Sequence, residues 1–342
     1  MNNLDPLKVS SYHYELPEEL IATAPSFPKE EQKLLVYDRK NKKITHTKFK
    51  HIFYFIPKNS AVILNDTKVI KARIFGKKET GGKVELLLNS PLEKNNFLVY
   101  IKGRVKENST LLFQKQLKAV VQKLNNDGTR IVKFYHKNEE IDFHKLNDLL
   151  EQIGHIPLPP YIKREDQEED QTNYQTVFAK NIGAVAAPTA SLHFDENSFK
   201  KLSSLYKTSY ITLHVGAGTF KSIEVENIKD HVMHSEWYNI PDETKKIIDS
   251  TQHILAVGTT VTRTIEFYHR EKKVTGYSNL FLHPKNPPKR VNSLLTNFHL
   301  PSSTLIMLVA SFTSLEEVLK IYNEAIQKRY KFYSYGDSML IV

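Results

Sequence analysis

A four-residue phrase of polar and apolar positions occurs three times along the chain. Each copy reads small polar residue, apolar residue, histidine, apolar residue. On an extended strand alternate side chains share a face, so the polar residue and the histidine would point the same way. We therefore predict one polar pocket assembled from strand ends, and we interpret it as an active site. The copies are Ser191–Phe194, Thr212–Val215 and Asn297–Leu300, and their histidines are His193, His214 and His299.

The spacing of apolar runs predicts two kinds of structure. Between Lys71 and His155, short apolar runs divided by turn residues recur about every dozen residues, which is typical of a small β barrel or sandwich. A helix is predicted at Phe143–Ile153, before the Pro157–Pro160 linker. Elsewhere strand-like and helical patterns alternate, which favours an α/β unit. We predict a mixed α/β main domain of residues 1–70 and 156–342, with a β domain of residues 71–155 inserted.

Composition places the chain among ordinary globular proteins. It has 342 residues, 40% of them hydrophobic and 25% charged, which is enough to build two domains. The absence of cysteine excludes disulfides, thiol nucleophiles and thiolate metal sites, and it fits a reducing cytoplasm, where we expect the protein. The formal charge of +10 permits an anionic partner such as nucleic acid. No apolar stretch has the length of a signal peptide core or a membrane span, so no membrane partner is expected.

Two runs of small residues could approach a ligand closely. The segment Gly183–Ser191 contains Thr189 and precedes the first histidine phrase. Gly216, Gly218 and Thr219 follow the second phrase in a turn whose backbone N–H groups could meet an anion. Tight packing between elements would explain the first run equally well. The second run lacks the full dinucleotide-binding pattern, so by itself it is a weak signal for a ligand loop.

His231, His234 and Glu236 form the densest group of titratable residues. Two histidines and a glutamate can ligate a metal ion, but their spacing is not the metalloprotease pattern. General acid–base chemistry or hydrogen bonding to a polar substrate is the interpretation that we prefer. The third interpretation is that at least one of these histidines is merely exposed and has no functional role.

Two further segments carry candidate chemistry. Gly258, Thr259, Thr260 and Arg263 follow a buried strand and open a helix, where anionic groups bind; simple capping by the threonines is the alternative. Near the end of the chain, Ser334, Gly336 and Asp337 follow a group of aromatic residues, and Asp337 is either a functional carboxylate or a turn residue.

Taken together, these phrases resemble the S-adenosylmethionine:tRNA ribosyltransferase-isomerase family of queuosine biosynthesis. The match runs in order over nearly the whole chain. The segments that carry it are Tyr14–Ile21 (YELPEELI), Asn65–Gly76 (NDTKVIKARIFG), Gly82–Leu88 (GKVELLL), Tyr174–Phe178 (YQTVF), Ala186–Phe194 (AAPTASLHF), Thr212–Phe220 (TLHVGAGTF), His231–Tyr238 (HVMHSEWY), Val257–Arg263 (VGTTVTR), Thr296–Leu308 (TNFHLPSSTLIML) and Phe332–Ile341 (FYSYGDSMLI).

The resemblance implies an inserted β barrel and a specific reaction. The family transfers and isomerises the ribosyl group of S-adenosylmethionine onto 7-aminomethyl-7-deazaguanine at the tRNA wobble position, which gives epoxyqueuosine and releases adenine and methionine. The implied partners of a monomeric enzyme are this tRNA and S-adenosylmethionine, without a metal. We expect catalytic roles for His193, His214, His299, Asp337 and Glu236. We expect substrate binding by Lys68, Arg73, Thr189, Gly216, Gly218, Thr219, His231, His234, Gly258, Thr259, Thr260, Arg263, Asn297, Ser334 and Gly336.

Some positions differ from the residues that most relatives carry. Examples are Gln32, Ser191, Ser302 and Lys331. The alternative function is therefore that of a diverged paralogue, which binds S-adenosylmethionine or RNA with altered or no transferase activity. A third candidate function, from a different class of enzyme, is a metal-dependent hydrolase whose ligands are His231, His234 and Glu236.

Overall fold

The computed structural model describes residues 4–220 and 223–342. Its strands are β1 (Lys33–Asp38), β2 (Lys43–Lys48), β3 (Ser60–Asn65), β4 (Thr67–Val69), β5 (Arg73–Lys78), β6 (Lys83–Pro91), β7 (Asn96–Lys102), β8 (Thr110–Leu112), β9 (Leu117–Leu124), β10 (Arg130–His136), β11 (Glu139–Glu140), β12 (Asn181–Ala184), β13 (Lys207–Leu213), β14 (Glu236–Asn239), β15 (His253–Val257), β16 (Thr275–Ser278), β17 (Ser293–Asn297) and β18 (Ser338–Ile341). Its helices are α1 (Phe143–Ile153), α2 (Asp170–Asn173), α3 (Glu196–Leu205), α4 (Asp242–Asp249), α5 (Thr259–Glu271), α6 (Thr304–Ala310) and α7 (Leu315–Gln327).

A large mixed sheet organises the main part of the molecule. Within the described residues, nine strands lie in the order β16-β14-β13-β3-β15-β17-β18-β1-β2. Strands β13, β3, β15 and β17 run parallel, and nearly all their residues are buried, because hydrophobic clusters cover both faces. The carboxyl ends of parallel strands share one edge, which is where ligands bind in open α/β sheets.

The inserted segment forms a closed barrel. Strands β10, β7, β6, β5, β8 and β9 pair in that order, and β9 pairs with β10 to complete the ring. Alternate side chains fill the interior, including Leu86, Phe97 and Phe134. Helix α1 ends at Ile153 as predicted, and the chain becomes extended at Gly154. Position 154 requires glycine, since a Cβ there would lie 2.2 Å from the Lys71 carbonyl oxygen. The mixed α/β class with a barrel is confirmed, while the predicted domain limits remain a prediction.

The first histidine phrase does not form a strand. Ser191–Phe194 is a turn between a short 3-10 segment and α3, whereas the other two phrases span the ends of β13 and β17. The prediction of a strand here was wrong because the backbone already turns at this phrase: Ser191 N–H donates to the Pro188 carbonyl at 2.9 Å, and Leu192 N–H donates to the Thr189 carbonyl at 3.0 Å. Asp195 follows as the N-cap of α3. Its side chain accepts a hydrogen bond from the Ser198 N–H at 2.7 Å and starts α3.

None of the described helices combines the length and the apolar character that a bilayer crossing needs.

Candidate active site

A cavity of about 440 Å³ lies at the carboxyl edge of the parallel strands. Its wall combines the segment after β12, the start of α5, the end of β17 through the start of α6, and residues 160–161 and 333–334. The fold therefore brings together segments that are far apart in the sequence. The predicted site residues that line it are Thr189, Gly258, Thr259, Thr260, Asn297, His299 and Ser334.

The starts of two helices face this cavity. Gly258 precedes α5 with a φ of 101°, a conformation that favours glycine, and no described side chain caps the first N–H groups of α5. The alternative interpretation, that the threonines cap α5, is therefore wrong. At α6 the Ser303 hydroxyl accepts a hydrogen bond from Ile306 N–H at 3.3 Å, and Ser303 also lines the cavity. Both helix dipoles favour a negatively charged group in the cavity.

Both polar atoms of the Asn297 side-chain amide have hydrogen-bond partners in the protein. Its Oδ1 accepts a hydrogen bond from the Thr189 hydroxyl at 3.0 Å. Its Nδ2 donates to the Tyr333 carbonyl at 3.0 Å and contacts His193 Nε2 at 3.1 Å. Because a carbonyl can only accept, this network sets the orientation of the amide and makes the imidazole nitrogen an acceptor.

His193 lies behind Asn297 and does not line the cavity. Its ring is 2% exposed, and its Nδ1 lies 2.6 Å from Gln32 Oε1. With Nε2 accepting from Asn297, Nδ1 carries the proton and donates it to Gln32. Burial, with a smaller effect of the Lys29 cation, lowers the pKa of His193 to about 3. The neutral ring therefore holds Asn297 in place from behind.

His299 is the predicted catalytic histidine that reaches the cavity. Its Nε2 lies 2.9 Å from the Thr296 hydroxyl, and its backbone carbonyl accepts a hydrogen bond from the Tyr14 hydroxyl. Burial lowers the pKa of His299 to about 3. The ring is therefore neutral near pH 7 and can accept a hydrogen bond.

The two buried rings make stability depend on pH. Both folded pKa values lie near 3 and the unfolded value near 6.5, so between these limits the unfolded chain binds more protons. We expect the free energy of unfolding to fall as the pH drops below about 6.5, by up to about 1.4 kcal/mol per pH unit for each ring. Urea unfolding between pH 7.5 and 5 measures this slope. His299→Gln should make it shallower and His13→Gln, at an exposed position, should not; equal slopes in all three proteins would contradict the prediction.

Three tyrosines in the cavity wall were not predicted from the sequence. Tyr161 packs against Tyr333 with ring centroids 4.1 Å apart, and its hydroxyl is hydrogen-bonded to Ser334 Oγ. Tyr174 lines the cavity beside them and is completely buried. Burial raises the pKa of Tyr161 to about 12, so its hydroxyl stays protonated. The sequence feature that could have indicated Tyr161 is its position directly after the Pro157–Pro160 linker.

A buried ion pair accounts for two predicted residues away from the cavity wall. Arg263 Nη1 donates to Glu236 Oε2 at 2.9 Å, and the other carboxylate oxygen accepts from Gly216 N–H at 3.2 Å. Both charged groups are less than one-tenth exposed. Arg263 was expected to bind the substrate, but here it pairs with a carboxylate of the protein. This pair ties α5 to β14 and to the turn after β13.

His214 lies on the opposite side of the same sheet edge. Its Nδ1 is 2.8 Å from the Thr67 hydroxyl, and its ring stacks on Trp237 with centroids 5.0 Å apart. The site demands glycine at position 183, since a Cβ there would lie 2.7 Å from His214 Nε2. Burial, opposed by the charge of Asp66, lowers the pKa of His214 to about 4.

The loop between β13 and β14 carries the last two histidines of the predicted site, His231 and His234. A Cβ at Gly218 would lie 2.8 Å from the ring of His234, and His231 packs edge-on against Phe281. Burial, with a smaller effect of His234, lowers the pKa of His231. Within residues 4–220 and 223–342, no three His, Asp or Glu side chains gather as metal ligands. The side chain of Thr219 lies outside the described residues.

Asp337 serves as a brace between distant segments. Its carboxylate oxygens accept backbone N–H groups of Lys33 and Lys331, each at 2.7 Å, and burial raises its pKa. A Cβ at Gly336 would lie 2.5 Å from the Lys331 carbonyl oxygen, so this turn is closely packed. Neither residue lines the cavity.

The two predicted cations at the junction with the barrel also lie outside the cavity. Lys68 is exposed on β4. Arg73 donates to Glu85 at 2.7 Å and lines a second, open groove between the barrel and the linker.

Comparisons with known proteins identify the family of this chain. The model of a family described as queuosine biosynthesis protein matches residues 9–341. A Nitratiruptor protein named S-adenosylmethionine:tRNA ribosyltransferase-isomerase is 58% identical over 99% of this chain and 100% of its own length. A Campylobacter jejuni protein of the same name is 58% identical over 98% of this chain and 99% of its own. The crystal structure of S-adenosylmethionine tRNA ribosyltransferase from Thermotoga maritima covers 97% of this chain and 100% of its own, with 32% identity and a TM-score of 0.55. The chain therefore belongs to the queuosine biosynthesis protein family.

Proposed function

We propose that this protein is an S-adenosylmethionine:tRNA ribosyltransferase-isomerase. It transfers and isomerises the ribosyl group of S-adenosylmethionine onto 7-aminomethyl-7-deazaguanine in tRNA, and epoxyqueuosine tRNA, adenine and methionine are the products. The observation that carries the proposal is the cavity at the strand edge, in a chain with 58% identity to relatives of that name.

The cavity wall offers a partner for each part of S-adenosylmethionine. Its volume of about 440 Å³ lies in the range of small-molecule sites. The starts of α5 and α6 suit the methionine carboxylate. The rings of Tyr161, Tyr174 and Tyr333 offer faces for the sulfonium cation and for adenine. The Thr189 hydroxyl oxygen and the Asn297 Oδ1 can each still accept a hydrogen bond from a ribose hydroxyl, because their protein partners leave lone pairs free.

The residues divide into those that touch the substrate and those that support them. A sulfonium acidifies the neighbouring C5′ hydrogens, so a positioned base can remove one. We place His299, the neutral ring in the wall, beside the ribosyl group as a hydrogen-bond acceptor, and we assign ribose positioning to Asn297 and Thr189. His193 and Asp337 act indirectly, since each is engaged with groups of the protein.

The alternative of a diverged paralogue has less support. Relatives 54–58% identical over nearly their full length carry the transferase-isomerase name. A metal-dependent hydrolase is also disfavoured, because Glu236 is committed to Arg263 and to Gly216. The monomeric state and the cytoplasmic location remain predictions.

A turnover assay tests the proposal. The purified protein is incubated with adenine-labelled S-adenosylmethionine and a tRNA that carries 7-aminomethyl-7-deazaguanine. We expect equal amounts of free adenine and epoxyqueuosine in the digested tRNA, and no product from the same tRNA with unmodified guanine. Binding of S-adenosylmethionine by the folded protein without adenine release would favour the diverged paralogue instead.

A further inference from the structure

Three lysines share one outward face of the barrel. Lys77 lies directly opposite Lys83 across the β5–β6 pair, and Lys102 lies opposite Glu85, two residues from Lys83 on the same face. All three side chains are exposed. Like charges directly opposite each other in an antiparallel pair are destabilising, so the fold gains nothing from this arrangement. We call Lys77, Lys83 and Lys102 the barrel lysines.

The charge of the barrel lysines is not neutralised by a carboxylate of the described chain. Among the described residues none of the three has an ion-pair partner, whereas Lys133 and Lys163 pair with glutamates at 2.7 Å and 2.6 Å. Glu85, an acidic residue on the same face, is already bound to Arg73. An external anion is therefore the partner that suits this face.

This charged face continues into the groove beside the active site. Lys102 lines an open groove of about 680 Å³ together with Arg73, Tyr100 and the linker from Pro157. Pro160 lines both this groove and the cavity of the candidate active site. The barrel lysines thus stand at one end of a path whose other end is the reaction cavity.

We propose that the barrel lysines bind the phosphate backbone of the tRNA substrate while its modified base occupies the cavity. The inference rests on the proposed function for the identity of the RNA. An extended polyanion fits the observations better than a single phosphate, because the lysines lie on three successive strands and lead into a groove. An exposed ring on the same face, Phe75, offers a base a stacking surface, as in single-strand binding sites.

The test compares two triple variants that remove the same charge. K77Q/K83Q/K102Q removes the barrel lysines. K40Q/K42Q/K43Q, the control, removes three exposed lysines from the β1–β2 hairpin, at the far edge of the main sheet. Binding of the labelled precursor tRNA is measured without S-adenosylmethionine over a range of salt concentrations, and adenine release is measured separately at saturating tRNA.

We expect the barrel variant to bind tRNA on the order of a hundredfold more weakly near 0.1 M salt, with the slope of log K against log salt reduced by about 2 to 3. Its turnover at saturating tRNA should match wild type, and its thermal midpoint should not fall, because the lost lysines repel each other. The control should bind like wild type.

Two outcomes separate this inference from the proposed reaction. Unchanged affinity and salt slope in the barrel variant, or an equal loss in the control, would overturn the inference even if adenine is released. A wild-type protein that binds the tRNA but releases no adenine would contradict the reaction, and the binding comparison would still decide the role of the barrel lysines.

Discussion

Asn297→Asp is expected to lower kcat/KM for S-adenosylmethionine by about 10²-fold, the cost of misplacing groups that position a substrate. The aspartate would put a carboxylate oxygen where an amide now donates to the Tyr333 carbonyl at 3.0 Å, and it would face the accepting nitrogen of His193. Two acceptors cannot share a hydrogen bond without a proton, so the side chain must rotate or His193 must be protonated. Steady-state adenine release measures the effect.

Asn323→Asp is the matched control for this prediction. It makes the same change at an exposed position on α7, away from the cavity, and should leave kcat/KM unchanged. Urea unfolding of both variants shows whether a loss of activity is caused by a change in the site or by a loss of stability. Wild-type activity in a folded Asn297→Asp protein would remove Asn297 from the reaction site.

Arg263→Met is expected to lower the free energy of unfolding by about 3–5 kcal/mol, because it leaves the Glu236 carboxylate buried without its cation. The guanidinium also donates to the Leu280 carbonyl at 3.1 Å, which would lose a partner. Urea denaturation at pH 7 measures the change. The large effect follows from burial, since the pair is far less exposed than most ion pairs of this protein.

Lys245→Met provides the comparison for an exposed pair. Lys245 pairs with Asp249 at 3.2 Å on the surface of α4, so we expect a change below about 1 kcal/mol. The double variant Arg263→Met with Glu236→Leu should recover much of the lost stability, since no buried charge of this pair then remains unpaired. A loss below about 1 kcal/mol in Arg263→Met alone would show that Glu236 is solvated or protonated there.

Histidine spacing alone could not say which ring reacts. All three phrases have the same local pattern, yet His299 lies in the cavity wall, His193 lies behind it and His214 stacks on Trp237. The difference arises from partners far away in the sequence, such as Gln32 for His193 and Thr67 for His214. Local periodicity specifies which face of an element a side chain occupies, but not what packs against that face.

The sequence by itself determined the mixed α/β class with its β insertion, and the family, because apolar spacing and long unusual segments are local properties. Only the tertiary structure decided that Arg263 pairs with Glu236, that Asp337 braces two backbone segments, and that tyrosines complete the cavity. These outcomes depend on contacts between residues up to several hundred positions apart, such as Asp337 with Lys33. The free energy of such contacts comes from burial and mutual hydrogen bonding, which no short segment contains.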